Sequence, residues 1–471
     1  MSMKRFTVFA SFLLLAASLS VAETPVKRYG QLAVEGNKLV SMNTGKPVQL
    51  RGMSLFWSMA GEGSSYYNAS AVNWLADDWK ANVVRAAMGI NETWGQGYLT
   101  GGKDANKQRV VTVADAAIAK GIYVIIDWHS HNAHTHTNDA KEFFEEMARK
   151  YKDVPNVLYE IYNEPTGTTV ASWTNDVKPY AQTVVNAIRA IDDKNVIIIG
   201  TPTWCASPEI ATAAPVDGVN LVYTVHFYSA YAPHKDPLRA KVKTSLNTHN
   251  KAVFVSEFGV CMNTGKEPLD LDEATTWLNF LDENKVSWVN WSVTYKDEGA
   301  SALKPAVRKY DGNWTPDDLT TSGAYIRGKM IEAYNREESS TATLVTDLVI
   351  PNTPKTTESA AITPVAAVSN NFSVGPVPAS RSADAVKFFW QGKPIIGGSL
   401  FIYDALGNTV KSVNINDASS GNLSKRAIGS WDLTDAKGRR VAAGSYLVKG
   451  KVATQSGNAA NISSIIVVVG N

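Results

Sequence analysis

With 471 residues and 44 % hydrophobic side chains, the chain is long enough for two or three folded units and a sizeable buried core. A formal net charge of only +2 argues against a nucleic-acid footprint and a polybasic membrane anchor, both of which need clustered positive charge. Thirteen Trp and 18 Tyr make a heavy aromatic load, which suits core packing and equally the stacking of sugar rings.

The first segment in chain order is a leader. Lys4 and Arg5 precede an apolar run from Phe6 to Leu19 that is short for a bilayer span, and Ser20-Val21-Ala22 supplies the small residues of a cleavage site. This predicts a signal peptide over 1–22, an exported mature chain and no transmembrane segment. From 23 to 338, short apolar runs alternate with helical patterns such as 139–151 and 179–191. The runs fall at 48–56, 81–89, 122–129, 156–165, 195–204, 221–229, 252–260 and 286–294. Continuous β-branched runs of this kind are what strands buried on both faces require. Eight strands alternating with helices predict an α/β fold, a (β/α)8 TIM barrel. An open doubly wound sheet is the alternative; the count of eight and the absence of a Gly-rich dinucleotide loop weigh against it. Residues 339–370 are rich in Thr, Ser, Pro and Ala, contain no aromatic residue and read as an extended linker. Residues 371–471, with short β-type runs and Gly-containing turns, read as a small all-β module.

In such a barrel the active site lies at the C-terminal ends of the strands. The polar residues there are Arg85, Asp127-Trp128-His129, Asn163-Glu164-Pro165, Trp204, His226 with Tyr228, Glu257 and Trp291. Two carboxylates across one mouth suit glycoside hydrolysis, in which one protonates the leaving oxygen and the other attacks the anomeric carbon or activates a water. The acid has to hold a proton, so the surroundings of Glu164 are expected to raise its pKa; Arg85, His226 and Tyr228 are donors that would keep Glu257 ionised. This chemistry needs no metal and no other cofactor. Four histidines within 129–136 raise a rival class, a metal-dependent amidase or phosphatase. Only His226 at a later strand end could complete such a site, so His131, His134 and His136 read as a loop flanking the cleft. A non-catalytic sugar-binding protein would have lost a carboxylate, and both are present.

The segments LRGMSLFW (50–57), NVVRAAM (82–88), IDWHSH (126–131), LYEIYNEP (158–165), VHFYS (225–229), VSEFG (255–259) and NWSVTYKDEGASAL (290–303) together resemble the bacterial endoglucanase branch of glycoside hydrolase family 5, over about residues 28–335. The resemblance implies a retaining endo-β-1,4-glucanase, a cellulase, whose partner is a β-glucan polysaccharide; mannan, xyloglucan and mixed-linkage glucan are the alternatives within the family. It implies Glu164 as acid/base and Glu257 as nucleophile. Asn163 would hold the hydroxyl next to the anomeric carbon, and Arg85 and Tyr228 would hydrogen-bond the nucleophile. His226 would tune the acid/base, and His129 would touch the sugar at the cleavage point. Trp291 would lie under that sugar, Trp57 would stack one subsite out on the glycone side and Trp204 on the aglycone side. Lys296 and Glu298 would clamp a glycone glucose.

Cys205 and Cys261 each follow a strand end at the catalytic rim, and export permits a disulfide, so a bridge pinning two cleft loops is expected, with two buried thiols as the alternative. In the last module, SLFIYDALGNTVKSV (399–413) and SWDLTDAKGRRVAAGSYLVKGKV (430–452) resemble the immunoglobulin-like module of flagellar hook-capping proteins and of C-terminal sorting domains. The implied role is export or surface attachment. A cellulose-binding module would need a flat row of exposed aromatics, whereas Trp390, Trp431, Tyr403 and Tyr446 are mostly claimed by a small core.

Overall fold

A computed structural model of the chain describes residues 23–346 continuously and, further on, strands and short connections between 372 and 469. The expected leader (1–22) and most of the expected linker (347–370) lie outside the described residues. Eight parallel strands close into a barrel in sequence order. They are β1 (Arg51–Leu55), β2 (Val83–Gly89), β3 (Tyr123–His129), β4 (Val157–Glu160), β5 (Ile197–Ile199), β6 (Leu221–Tyr228), β7 (Val253–Gly259) and β8 (Trp288–Val293). Each lies inside one of the eight apolar runs, and the (β/α)8 expectation holds.

Period-two alternation sorts each strand into an inner and an outer face. In β3, Val124 and Ile126 face the helices, while Tyr123 and Ile125 join Val83, Leu158, Ile198, Val222, Phe254 and Val289 in a separate apolar layer within the barrel. An antiparallel hairpin, Leu32–Glu35 with Lys38–Ser41, supplies Leu32 and Leu39 to that layer. Continuing the same inner face toward the strand ends brings up Arg85, Asp127, Glu160 and His226, so polar residues occupy the layers above the apolar floor.

The outer layer is helical. In the helix α1 (Thr137–Tyr151), Ala140, Phe143, Phe144, Met147, Ala148 and Tyr151 recur at three- and four-residue spacing and are buried. Phe143 meets the indole of Trp128 with ring centroids 5.4 Å apart. Truncating a ring of this kind to Ala costs about 3–5 kcal/mol.

β7 departs from strict alternation. Its register with β6 slips between Thr224↔Phe254 and His226↔Glu257, so β7 carries one extra residue there. A bulge of this kind turns two neighbouring side chains toward one face. Ser256 and Glu257 thereby both serve the inner network while Phe258 returns to the outer core.

The chain divides into two compact units, 1–339 and 340–471. The last barrel helix, Thr321–Thr346, continues past Ser339, so the start of the stretch expected to be an extended linker is helical. In the second unit, strands Phe372–Gly375, Val386–Trp390 and Arg426–Trp431 form one sheet. Five further strands form another: Ala379–Ser380, Ile395–Tyr403, Thr409–Ile415, Gly444–Thr454 and Ala459–Val469. Val386, Phe388, Ile428 and Trp431 of the first sheet and Leu400, Ile402, Tyr446 and Val448 of the second share one apolar cluster. That is the small all-β module, with Trp431 and Tyr446 spent on its core.

Candidate active site

Arg85, in the middle of β2, is fully buried and faces three carboxylates. Its Nε donates to Glu160 at 2.7 Å, one terminal nitrogen to Glu257 at 3.0 Å, and the other to Asn163 at 2.7 Å, with Asp127 at 2.9 Å from that second nitrogen. A planar fork suits several acceptors at once, which a point-charge ammonium does not. The hydroxyl of Tyr228 donates to the second oxygen of Glu257 at 2.8 Å. Gly259 makes that possible, because a Cβ there would stand 2.5 Å from the Tyr228 ring. Asn163, whose oxygen is held by Arg85, precedes Glu164 on the loop leaving β4.

Glu164 is flanked by two histidines. Nδ1 of His226 lies 2.9 Å from one of its oxygens, and Nε2 of His131 lies 3.2 Å from the other. The Nε2 of His226 is fixed by Ser256 Oγ at 3.1 Å, and that hydroxyl in turn donates to Glu160 at 2.6 Å. With Ser256 committed to Glu160, its oxygen is left to accept, so Nε2 of His226 carries a proton in every state. Nδ1 then either accepts from a protonated Glu164 or donates to an ionised one.

Charge follows from these contacts. Burial works to push Glu164 up, but the hydrogen bonds from His131 and His226 outweigh it and hold the carboxyl at about 2. The expectation that its surroundings raise the pKa is therefore corrected: in the resting site the proton resides on the imidazoles. Burial lowers both histidines, yet the neighbouring carboxylates lift His226 to about 9 and His131 to about 9. Burial, with repulsion from Glu164, raises Glu257 against the pull of His226 and Arg85. Burial also drives His129 well below the ordinary histidine range; it stays neutral, 2.6 Å from Asp127.

One oxygen each of Glu164 and Glu257 and a ring nitrogen of His226 lie within 4.8 Å of one another, the one grouping tight enough for a cation among the described residues. Those groups are engaged with Arg85, Tyr228, Ser256 and each other, which makes a proton-transfer site rather than a set of metal ligands. The histidines of 129–136 do not converge. His129 turns to Asp127, His131 to Glu164 and Glu92, His134 to the Tyr162 hydroxyl at 2.9 Å and His136 to Asn91 at 3.2 Å.

Above the carboxylates is an open cleft of about 430 Å³. Trp291 on β8 stacks parallel to His129 with centroids 5.1 Å apart. Trp57 stands edge-on to His129 at 4.0 Å and to the exposed Trp94 at 5.3 Å. Lys296 and Glu298 line the same cleft, paired at 2.6 Å. Trp204 is 46 % exposed and lies outside that cleft lining, beside the loop that carries Glu164. Thr203, Trp204 and Cys205 all have positive φ, at 63°, 50° and 60°. Backbone bonds from Thr203 N to Gly167 O and from Trp204 N to Pro165 O, both 2.9 Å, hold that turn.

Cys205 and Cys261 are both free and buried, which corrects the expected bridge. The reason is local. The Cys205 thiol points under the β4 loop and donates to Asn163 O at 3.0 Å, while Cys261 packs with Phe56, Tyr228 and Trp291.

The structure thus brings together Arg85, His129, Asn163, Glu164, His226, Tyr228, Glu257 and Trp291. Four residues take part to which the sequence assigns no catalytic role. Glu160 and Asp127 are inward positions of buried strands, and Asp127 stands among the polar strand ends without an assigned role. Ser256 depends on a bulge that no pattern announces. His131, taken for a loop residue, touches Glu164. A charged side chain at an inward position of a buried strand was the available signal for the first two.

A closed barrel with a buried and a partly buried carboxylate facing each other beneath an aromatic-walled cleft defines a glycoside hydrolase. Residues 42–297 match the cellulase family, glycosyl hydrolase family 5. Endoglucanase Z of Dickeya dadantii (strain 3937) is 41 % identical over 317 residues, 67 % of this chain and 70 % of that protein. A solved structure from Cytophaga hutchinsonii superposes with a TM-score of 0.63 at 44 % identity, covering 68 % of this chain and 100 % of that one. A variant of the catalytic domain of Thermobifida fusca endoglucanase Cel5A, in complex with cellotetraose, superposes with a TM-score of 0.60 at 34 % identity, over 65 % of this chain and 99 % of that one. The chain belongs to the cellulase family, glycosyl hydrolase family 5.

Proposed function

We propose that the enzyme is a secreted endo-β-1,4-glucanase that cleaves with retention. The observation that carries the mechanism is the facing pair of carboxylates, one oxygen of each within 4.8 Å of the other, a nearest-atom closeness that supports the narrower, retaining spacing. Retaining enzymes hold their carboxyl groups about 5–5.5 Å apart and inverting ones about 6.5–9.5 Å, because the latter admit a water. Glu257, gripped by Arg85 and Tyr228, attacks the anomeric carbon. Glu164 hands the leaving oxygen the proton it shares with its histidines, then takes one from the incoming water. Asn163 holds the neighbouring hydroxyl, His129 touches the sugar and Trp291 floors its subsite. Trp57 stacks the next glycone sugar, with Lys296 and Glu298 as its polar clamp, and Trp204 stacks an aglycone sugar.

A cleft open to solvent supports cutting within a polymer. The endoglucanase names of the relatives and the cellotetraose bound to the Thermobifida fusca domain support β-1,4-glucan as that polymer. The leader-like residues 1–22 support export, and the sequence pattern of 399–413 and 430–452 supports sorting or surface attachment by the last module. No helix among the described residues is long and apolar enough to cross a membrane.

Initial rates on soluble cellulose, lichenan, mannan and xyloglucan, with proton NMR of the first products, test the reading. Soluble cellulose should be cut fastest and the β-anomer should appear first. Glu164→Gln and Glu257→Gln should each lose at least about a thousandfold. An early α-anomer, or near-native activity in either variant, overturns it.

A further inference from the structure

The two histidines on Glu164 differ in where they lead. His226 is 1 % exposed and is tied down behind the carboxylate by Ser256. His131 lines the cleft, and its side chain is 35 % exposed. Its Nε2 faces Glu164 at 3.2 Å, while its Nδ1 faces Glu92 at 3.1 Å, on the loop after β2. An imidazole with a carboxylate at each nitrogen donates from both when protonated. The Trp57 ring flanks it with centroids 5.8 Å apart, and the Tyr162 hydroxyl donates to its backbone oxygen at 3.1 Å. A carboxylate–imidazole–carboxylate chain therefore runs from the solvent edge to the partly buried Glu164.

We infer that His131, backed by Glu92, is a positioning residue that stores the proton of Glu164 at the cleft wall and supplies it during bond cleavage. This rests on Glu164 being the acid/base. As the glycosidic C–O bond breaks, its electron pair goes to the leaving oxygen, which takes a proton relayed through Glu164, so that Glu164 begins and ends the step ionised. The proton on Nε2 of His131 moves to Oε2 of Glu164 in the same passage, leaving a neutral imidazole. In the second step water adds to the anomeric carbon, and its proton returns through Glu164 to His131. The groups around this chain are Glu92 and Glu164 at the two nitrogens of His131, His129 alongside, His226 on the other oxygen of Glu164, and Glu257 with Arg85 behind it. Burial opposes the charge on His131, but Glu164 and Glu92 lift it to about 9, so it is protonated through the neutral range.

The test separates acid help from mere structure by the leaving group. A dinitrophenolate departs without a proton, whereas a phenolate needs one. His131→Gln and Glu92→Gln are compared with the parent enzyme for kcat/KM on 2,4-dinitrophenyl and phenyl β-cellobioside, across the pH range. His131→Gln should lower the phenyl substrate about tenfold or more while the dinitrophenyl substrate changes less than about threefold. Its alkaline limb should move to lower pH, because one proton store is gone, and Glu92→Gln should shift it less in the same direction. Equal losses on both substrates, or an unmoved limb, overturn the inference. Glu164→Gln is the separate arm: if it keeps its activity on phenyl β-cellobioside, the acid/base assignment itself fails.

Discussion

Replacing Arg85 by Lys keeps the charge and removes the fork. The guanidinium serves Glu160, Glu257, Asn163 and Asp127 at once, with contacts between 2.7 and 3.0 Å. An ammonium has three donors at one point and a shorter reach, so at least two of these four partners lose their donor. A hydrogen bond to a charged group contributes about 1.5–3 kcal/mol, and none of these carboxylates has bulk water to fall back on. Two lost bonds therefore destabilise by about 3–6 kcal/mol, a large share of a typical 5–15 kcal/mol. On the reaction itself, a nucleophile no longer held toward the anomeric carbon should cost about a hundredfold or more in kcat, the scale seen when one fixed donor is removed from an active site. Denaturant unfolding and initial rates on soluble cellulose measure the two effects. Stability within about 0.5 kcal/mol of the parent, or kcat within about threefold, would refute the view of Arg85 as the hub.

Two further outcomes are expected. Burial pushes the Cys205 thiol well up and the Cys261 thiol up to about 12, so neither should react with a disulfide reagent in the native protein and both should react after unfolding; no thiol released on unfolding would restore the bridge. His131 and His226 bind protons with folded pKa values of about 9 against about 6.5 for free histidine, so the stability they contribute is complete below about pH 6.5 and is lost as pH rises through about 9. The melting temperature should fall across that interval, and the slope should flatten in His131→Gln; an unchanged slope would show that His131 is not charged.

The barrel was legible because parallel strands buried on both faces write themselves as apolar runs, and eight such runs with helices between them leave few closures. Glu164 and Glu257 were legible for the same reason, as the polar ends of runs whose ends meet at one mouth. The network beneath them was less so. Asp127 and Glu160 sit one or more pleats below the rim, and their meaning depends on Arg85 reaching across from β2. Ser256 faces inward through the bulge in β7, a local register slip without a residue signature. His131 follows His129 at a spacing that strand periodicity would have placed on the same side, but the strand ends at His129 and a loop turns it toward Glu164 instead. The pKa of Glu164 was misjudged because its burial was foreseen and its second histidine was not. The cysteines were misjudged because sharing a rim does not bring two thiols together.

The turn that carries Trp204 has a consequence for how such an enzyme can change its diet. Three successive left-handed residues, one of them β-branched, are held by main-chain bonds to Gly167 and Pro165 and not by the packing of the indole, which stands half in solvent. The position from which a side chain reaches out is thus set by the backbone, whatever that side chain is. If Trp204 stacks an aglycone sugar as proposed, drift at this one site can swap a flat ring for a smaller or polar group and so retune which chains are admitted, while the backbone turn stays as it is. The opposite holds at Arg85, where four partners veto every alternative. Change is tolerated at the exposed turn beside the Glu164 loop and forbidden at the base of the cleft.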